Sequence, residues 1–137
     1  MTRLKDRTCI VTVGANGIGK ATCIRLAEES AKVAVTDLDD DAGAAARDAI
    51  VRNHGTAEYW HPDVTNEEEV TRVFSAVAGT FGQIDVLVNN AGISGADKPT
   101  HEVSSEEWRQ VMDVIVNGVF YCTKAAIPHM RKARSAR

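Results

Sequence analysis

Long apolar runs are missing from this 137-residue chain. The segment after the N-terminal Met-Thr-Arg-Leu-Lys-Asp-Arg, Thr8 to Val13, is short and polar at its edges, which excludes a signal peptide. No stretch approaches the roughly 20 apolar residues of a membrane span. Cysteine is sparse: Cys9, Cys23 and Cys122 are odd in number, lack CxxC spacing and sit inside apolar patterns, so they read as buried free thiols. Positive charge is not in excess, and a net charge of -3 offers no basic field to a nucleic-acid backbone or an anionic membrane. His54, His61, His101 and His129 show no metal-ligand spacing. Repeats, low-complexity tracts and Pro/Gly linkers are absent too. What these absences leave is a single domain over residues 1–137, soluble and cytoplasmic, with no nucleic-acid, membrane or metal partner and a small molecule as ligand.

What the chain does have is an alternation of β-rich runs with amphipathic stretches. Strands are predicted at 8–13, 32–37, 56–61 and 84–88. The first helix, 17–29, would turn Ile18, Ala21, Thr22 and Leu26 towards a sheet. Asp39, Asp40 and Asp41 supply an N-cap and an acidic first turn for a second helix to about Asn53, with Gly55 just past its end. Asp37-x-Asp39-x-Asp41 also begins like a calcium loop, but Ala42 stands where that loop needs glycine and Asp48 where it needs glutamate, which favours capping. Thr65-x-x-Glu68 reads as a capping box for a helix with Val70, Val73, Phe74 and Val77 on one face, and Ser104-x-x-Glu107 as another for a helix bearing Trp108, Val111, Met112 and Ile115, bent towards Pro128. Such alternation, with apolar strands, calls for a doubly wound parallel α/β sheet whose ligand sits beyond the carboxyl ends of the strands.

The first of those ends carries Val11-Thr-Val-Gly-Ala-Asn-Gly-Ile-Gly-Lys20. As a P-loop it fails at Ala21, where a hydroxyl should hold magnesium. As G-x-G-x-x-G it has Gly17 and Gly19 but Thr22 in third place. Taken alone, the glycines fit a tight turn as well as a phosphate site, Asp37 fits a surface carboxylate ending its strand, Asp63 fits a turn after Pro62, and Asn89 and Asn90 fit turn formers.

Taken together, the loops at 13–19, Asp37-Leu38, Asp63-Val64 and Asn89-Asn-Ala-Gly92, with Asn117-Gly-Val-Phe120, resemble in order and spacing the first half of the short-chain dehydrogenase/reductase family. The resemblance implies four strands in the Rossmann-like order 3-2-1-4 and an NAD-dependent oxidoreductase interconverting an alcohol and a ketone. Gly14, Asn16, Gly17, Ile18 and Gly19 would bring backbone and a helix N-terminus to a pyrophosphate. Asp37, with Leu38 beside it and no adjacent basic residue, would accept from the ribose and disfavour NADP. Asp63 and Val64 would border the adenine, and Asn90, Ala91 and Gly92 would floor the pocket. Asn117 is the family active-site residue present, and the resemblance also suggests a homo-oligomer.

Three departures stand out. Val13 occupies the family's first glycine position, with Gly14 offering a place for the turn to re-form one residue later. Ser30 ends a helix where glycine is usual. The family's serine and Tyr-x-x-x-Lys pair do not occur; Tyr121-x-x-Lys124 has another spacing and reads as packing plus a solvated lysine. The sequence therefore reads as truncated before the catalytic half, with its fourth strand expected as an exposed edge. The basic tail 131–137 reads as a solvated helix end. A non-catalytic nucleotide-binding or interaction protein of the same fold is the alternative, and a nucleoside-triphosphate enzyme the third reading.

Overall fold

A computed structural model describes residues 2–133. Four parallel strands, β1 (Thr8–Thr12), β2 (Lys32–Thr36), β3 (Thr56–Trp60) and β4 (Val86–Val88), pair in the order β3-β2-β1-β4. The expected strand order is therefore the observed one, and β4 forms a sheet edge. The fourth strand is shorter than expected, and Asp85 just before it holds the neighbouring strand: its N–H donates to the Thr8 carbonyl at 2.9 Å, and its buried carboxylate accepts from the Thr8 N–H at 2.8 Å, Gln83 Nε2 at 2.7 Å and Arg7 Nη1 at 3.0 Å. That carboxylate staples the amino ends of β1 and β4.

Alternation along the strands sorts two cores. Cys9, Val11, Val33 and Val35 pack with Cys23, Ala46 and Ile50, beneath α1 (Gly17–Glu28) and α2 (Asp40–Arg52). On the other face Ile10 and Ala34 pack with Val70, Val73, Phe74, Val77, Cys122 and Ala126, beneath α3 (Glu67–Phe81) and α5 (Gly118–Ala133). All three cysteines are free and buried, and burial raises Cys9 and Cys122 to about 11 and Cys23 to about 12. They are core residues, as expected.

Helix ends show where local chemistry was readable. Asp39 caps α2, accepting from the Ala42 N–H at 3.0 Å, and Ser104 and Glu107 close a reciprocal capping box on α4 (Ser105–Met112). The third cap differs from the expectation. Asn66, not Thr65, caps α3, accepting from the Glu69 N–H at 3.1 Å; Thr65 is drawn back by Asp63, whose Oδ1 accepts from its N–H and hydroxyl. The end of α2 also shifts by a residue. His54, at φ 64°, takes the left-handed position expected of Gly55, while the Gly55 N–H reaches the Ile50 carbonyl, the outer bond of a Schellman motif. A Cβ at 55 would lie 2.6 Å from Ile50 Cγ2, so glycine is retained for space. Ser30 takes φ 69° at the end of α1, fulfilling the reading that a glycine position is filled by serine.

The last helix continues through Pro128 to Ala133, past the expected end, and an irregularity in the helical unit is a π-helical segment at Asp113–Asn117 between α4 and α5. Ser105–Ala133 is thereby one 29-residue helical unit, long and apolar enough to cross a membrane by length and composition. This corrects the reading that nothing approaches a span: polar residues interrupt the sequence, but helix continuity joins the apolar stretches. Its inner face, with Cys122 and Ala126, packs against the sheet and α3. Tail residues 134–137 lie outside the described residues.

Candidate functional site

The four loops leaving the carboxyl ends of the strands gather at one edge of the sheet, and hydrogen bonds couple them to one another. Thr12, the last residue of β1, is buried, and its Oγ1 accepts from the N–H groups of Asn90 at 2.9 Å and Ala91 at 2.8 Å. Asn90 Nδ2 in turn donates to the Val13 carbonyl at 3.1 Å. The first and fourth loops are thus clamped together, and a hydroxyl at position 12, which the motif reading passed over, is the centre of the clamp. A buried polar residue ending an apolar strand was the available signal.

The turn after β1 does not re-form at Gly14. Val13 itself adopts φ 51°, in the left-handed region that a β-branched side chain enters at a cost. Gly14 is needed for space instead: a Cβ there would lie 2.9 Å from Cys23 Sγ. A Cβ on Gly19 would collide with the Val13 carbonyl oxygen and approach Asn90 Nδ2 to 2.6 Å, so the glycine lets α1 start directly against the clamp. Gly17, at φ 53°, faces open space. Asn16 occupies the N-cap with no side-chain capping bond, and the first turn of α1 carries no acid. Its N–H groups and positive dipole end therefore face outward beside an exposed Ile18.

Asp37 follows β2. Its Oδ2 accepts from the Ala15 N–H at 3.1 Å and its Oδ1 from the Asp39 N–H at 3.1 Å, which fixes the carboxylate between the first and second loops. Each oxygen retains accepting capacity towards solvent, and Leu38 beside it is exposed. Asp63 is half-buried and occupied with Thr65, while Val64 lies against the start of α5, where a Cβ on Gly118 would come within 3.0 Å of it. Gly92 is exposed beyond Ala91.

Asn117 closes the π-helical segment, with its side chain exposed and its Nδ2 donating to Asp113 Oδ1 at 2.8 Å. Lys124 pairs with Glu67 Oε1 at 2.6 Å and lies 5.7 Å from the Phe120 ring centroid, while Tyr121 packs against the core beneath α3 and α5. The structure therefore gives Tyr121 and Lys124 the packing and surface roles read from the sequence. A cleft of about 370 Å³ lined by Ile24, Ala27, Ile50 and Gly55 opens at the opposite, amino edge of the sheet, away from all of these groups.

A family model described as short chain dehydrogenase matches residues 7–137. The chain is 40% identical over 133 residues to the cyclopentanol dehydrogenase of a Comamonas species, spanning 97% of this chain and 53% of that one. It is 35% identical over 136 residues to the 3beta-hydroxysteroid dehydrogenase of Mediterraneibacter gnavus, spanning 99% and 49%. Among solved structures, a metagenomic short-chain oxidoreductase in complex with NADP matches with a TM-score of 0.93 at 28% identity, covering 98% of this chain and 61% of that one. The chain spans about half the length of these curated relatives.

Proposed function

The chain belongs to the short-chain dehydrogenase family, and from that premise we propose that it is the NAD-binding portion of an oxidoreductase interconverting an alcohol and a ketone. The observation that carries the cofactor choice is Asp37. Its carboxylate is held by the Ala15 and Asp39 N–H groups at the place where a ribose diol would donate to it. A 2′-phosphate would meet Asp37, Asp39, Asp40 and Asp41 and be repelled. Gly17 and Gly19, with the uncapped N-terminus of α1, would take the pyrophosphate, and Asn90, Ala91 and Gly92 would line the floor beyond the Thr12 clamp. The groups present fit the cofactor: an anion-ready helix end, a fixed carboxylate and an open approach over Gly17.

When bound, the nicotinamide would supply the hydride. Asn117 is the residue of this chain proposed for the active site, and its placement in a π-helical segment, a feature frequent at functional sites, supports that role. The Tyr-x-x-x-Lys pair that resemblance assigns to proton exchange is not in the sequence, so this chain is expected to bind without turning over. The names of the two relatives support a secondary alcohol, or the matching ketone, as substrate.

Calorimetric titration with NADH and NADPH tests the reading. Saturable binding favouring NADH is expected, and Asp37→Asn, which keeps an acceptor for the Ala15 N–H, should weaken NADH by about tenfold or more, the loss typical of hydrogen bonds to a charged group. A folded chain that binds neither dinucleotide would overturn the proposal and leave an interaction protein of the same fold.

A further inference from the structure

Beside the loop that carries Asp37 lies a cluster on which the dinucleotide motifs are silent. Asp40, the first residue of α2, has its Oδ1 2.6 Å from the Tyr59 hydroxyl and 2.6 Å from His61 Nδ1. The Tyr59 hydroxyl also lies 2.9 Å from the Asp37 carbonyl oxygen, so its proton is shared between two acceptors. Because an ionised carboxylate only accepts, Nδ1 of His61 carries a proton in this arrangement. His61, the residue after β3, is thereby tied to the β2–α2 loop through Asp40 and Tyr59. Among the described residues, no lysine or arginine forms an ion pair with Asp37, Asp39, Asp40 or Asp41. The imidazole is the basic group that pairs with this acidic loop.

We propose that His61 is a specificity-determining residue of the dinucleotide site, its charge setting how strongly the Asp37–Asp41 loop rejects a 2′-phosphate, so that the preference for NADH over NADPH weakens when the imidazole is protonated. The inference rests on the reading of Asp37 as the ribose-binding carboxylate. Physically, three hydrogen-bond contacts separate the ring from the Asp37 backbone, which keeps its charge within a Debye length, about 8 Å at physiological ionic strength. A protonated ring cancels the Asp40 charge and a neutral ring leaves it facing the phosphate.

The charged groups acting on His61 come from three elements and all favour protonation: Asp40 on α2 by hydrogen bond and charge, Glu69 on α3, and Asp37 after β2, opposed by partial desolvation of the exposed ring. The imidazole is consequently held above its ordinary range, and Asp40 below its own, chiefly by the Tyr59 and His61 hydrogen bonds. The pair is therefore complete at acid pH and is lost as pH rises through the raised value.

Dissociation constants for NADH and NADPH would be measured on the full chain from about pH 5.5 to about pH 8.5, bracketing the ordinary imidazole value, at fixed ionic strength. The 2′-phosphate titrates in the same window, near pH 6 for a phosphate monoester, so His61→Gln is the essential control: it retains that titration and a donor towards Asp40 but cannot charge. The wild-type NADPH-to-NADH ratio of dissociation constants should rise with pH by about three- to tenfold more than that of His61→Gln, as expected for a unit charge facing a phosphate dianion at this range in water. Its midpoint should coincide with the His61 titration followed by NMR, and both should move down in Asp40→Asn. Parallel profiles for wild type and His61→Gln, with NADH still bound, would overturn the role of His61 and leave the NAD reading intact. Binding of neither dinucleotide at any pH would overturn both.

Discussion

Val13 concentrates the conflict between local preference and global fold at a single residue. A left-handed conformation costs an L-residue roughly 1–2 kcal/mol, and Val13 accepts it at φ 51° because its carbonyl must meet Asn90 Nδ2 and because α1 must begin against it at Gly19. Val13→Gly removes that strain at the expense of about 0.5–1 kcal/mol of unfolded-state entropy. A net stabilisation of up to about 1.5 kcal/mol is therefore expected, read as a higher urea midpoint at unchanged slope. The same substitution clears a half-exposed side chain from beside the N-terminus of α1 and should tighten NADH in a calorimetric titration. A lower midpoint would show that the valine side chain packs better than its backbone angle suggests.

Among the elements, α4 depends most visibly on its cap. None of its residues is buried, so the helix cannot draw on a core, and Ser104 and Glu107 hold its first turn by two reciprocal hydrogen bonds of 3.1 and 2.7 Å. Ser104→Ala should cost about 1 kcal/mol, a usual value for a lost N-cap, seen as faster amide exchange confined to α4 with β1–β3 unaffected. Acid should have a related effect. Glu107 is held down to about 2 from an ordinary 4.5, first by the Lys98 hydrogen bond and then by the Ser104 N–H. Its folded-state value lies below the unfolded one, so its contribution is present above the ordinary value and is lost as pH falls towards 2. Protection of the α4 amides, relative to their intrinsic exchange rates, should fall across that window in wild type, and not additionally in Glu107→Gln.

At the scale of the whole molecule, the outer face of the last helical unit stands out. Trp108, Ile115, Val116, Phe120 and Ile127 are exposed along it, a larger apolar display than scattered surface residues. The expected consequence is self-association of this chain through that face. Sedimentation should show species heavier than a monomer, and Phe120→Glu should shift the distribution towards monomer and remove the concentration dependence of the melting temperature. Monomeric behaviour of the wild-type chain at high concentration would show that the face does not bind a second copy.

The two-sided parallel sheet and most helix starts were determined by the sequence, because period-two apolar runs, caps and crossover handedness are local or near-local physics, while the strand order followed from the resemblance of the loop motifs to the family; Cys9 and Ile10 already point to opposite cores. The loops that would meet a dinucleotide were legible for the same reason, since Gly17, Asp37 and Asn90 each follow a strand that can be recognised. The connections among them were not legible. That Thr12 would accept from Asn90 and Ala91, that Asp37 would hold Ala15, and that His61 would reach Asp40 depends on strands distant in sequence lying side by side. Thr65 lost its expected cap to Asn66 through the pull of Asp63, and His54 took the turn expected of Gly55 because Gly55 had to clear Ile50. Sequence pattern decides which groups arrive at the edge of a parallel sheet, whereas the pairing of those groups is decided by strand adjacency and packing, which only the tertiary structure supplies.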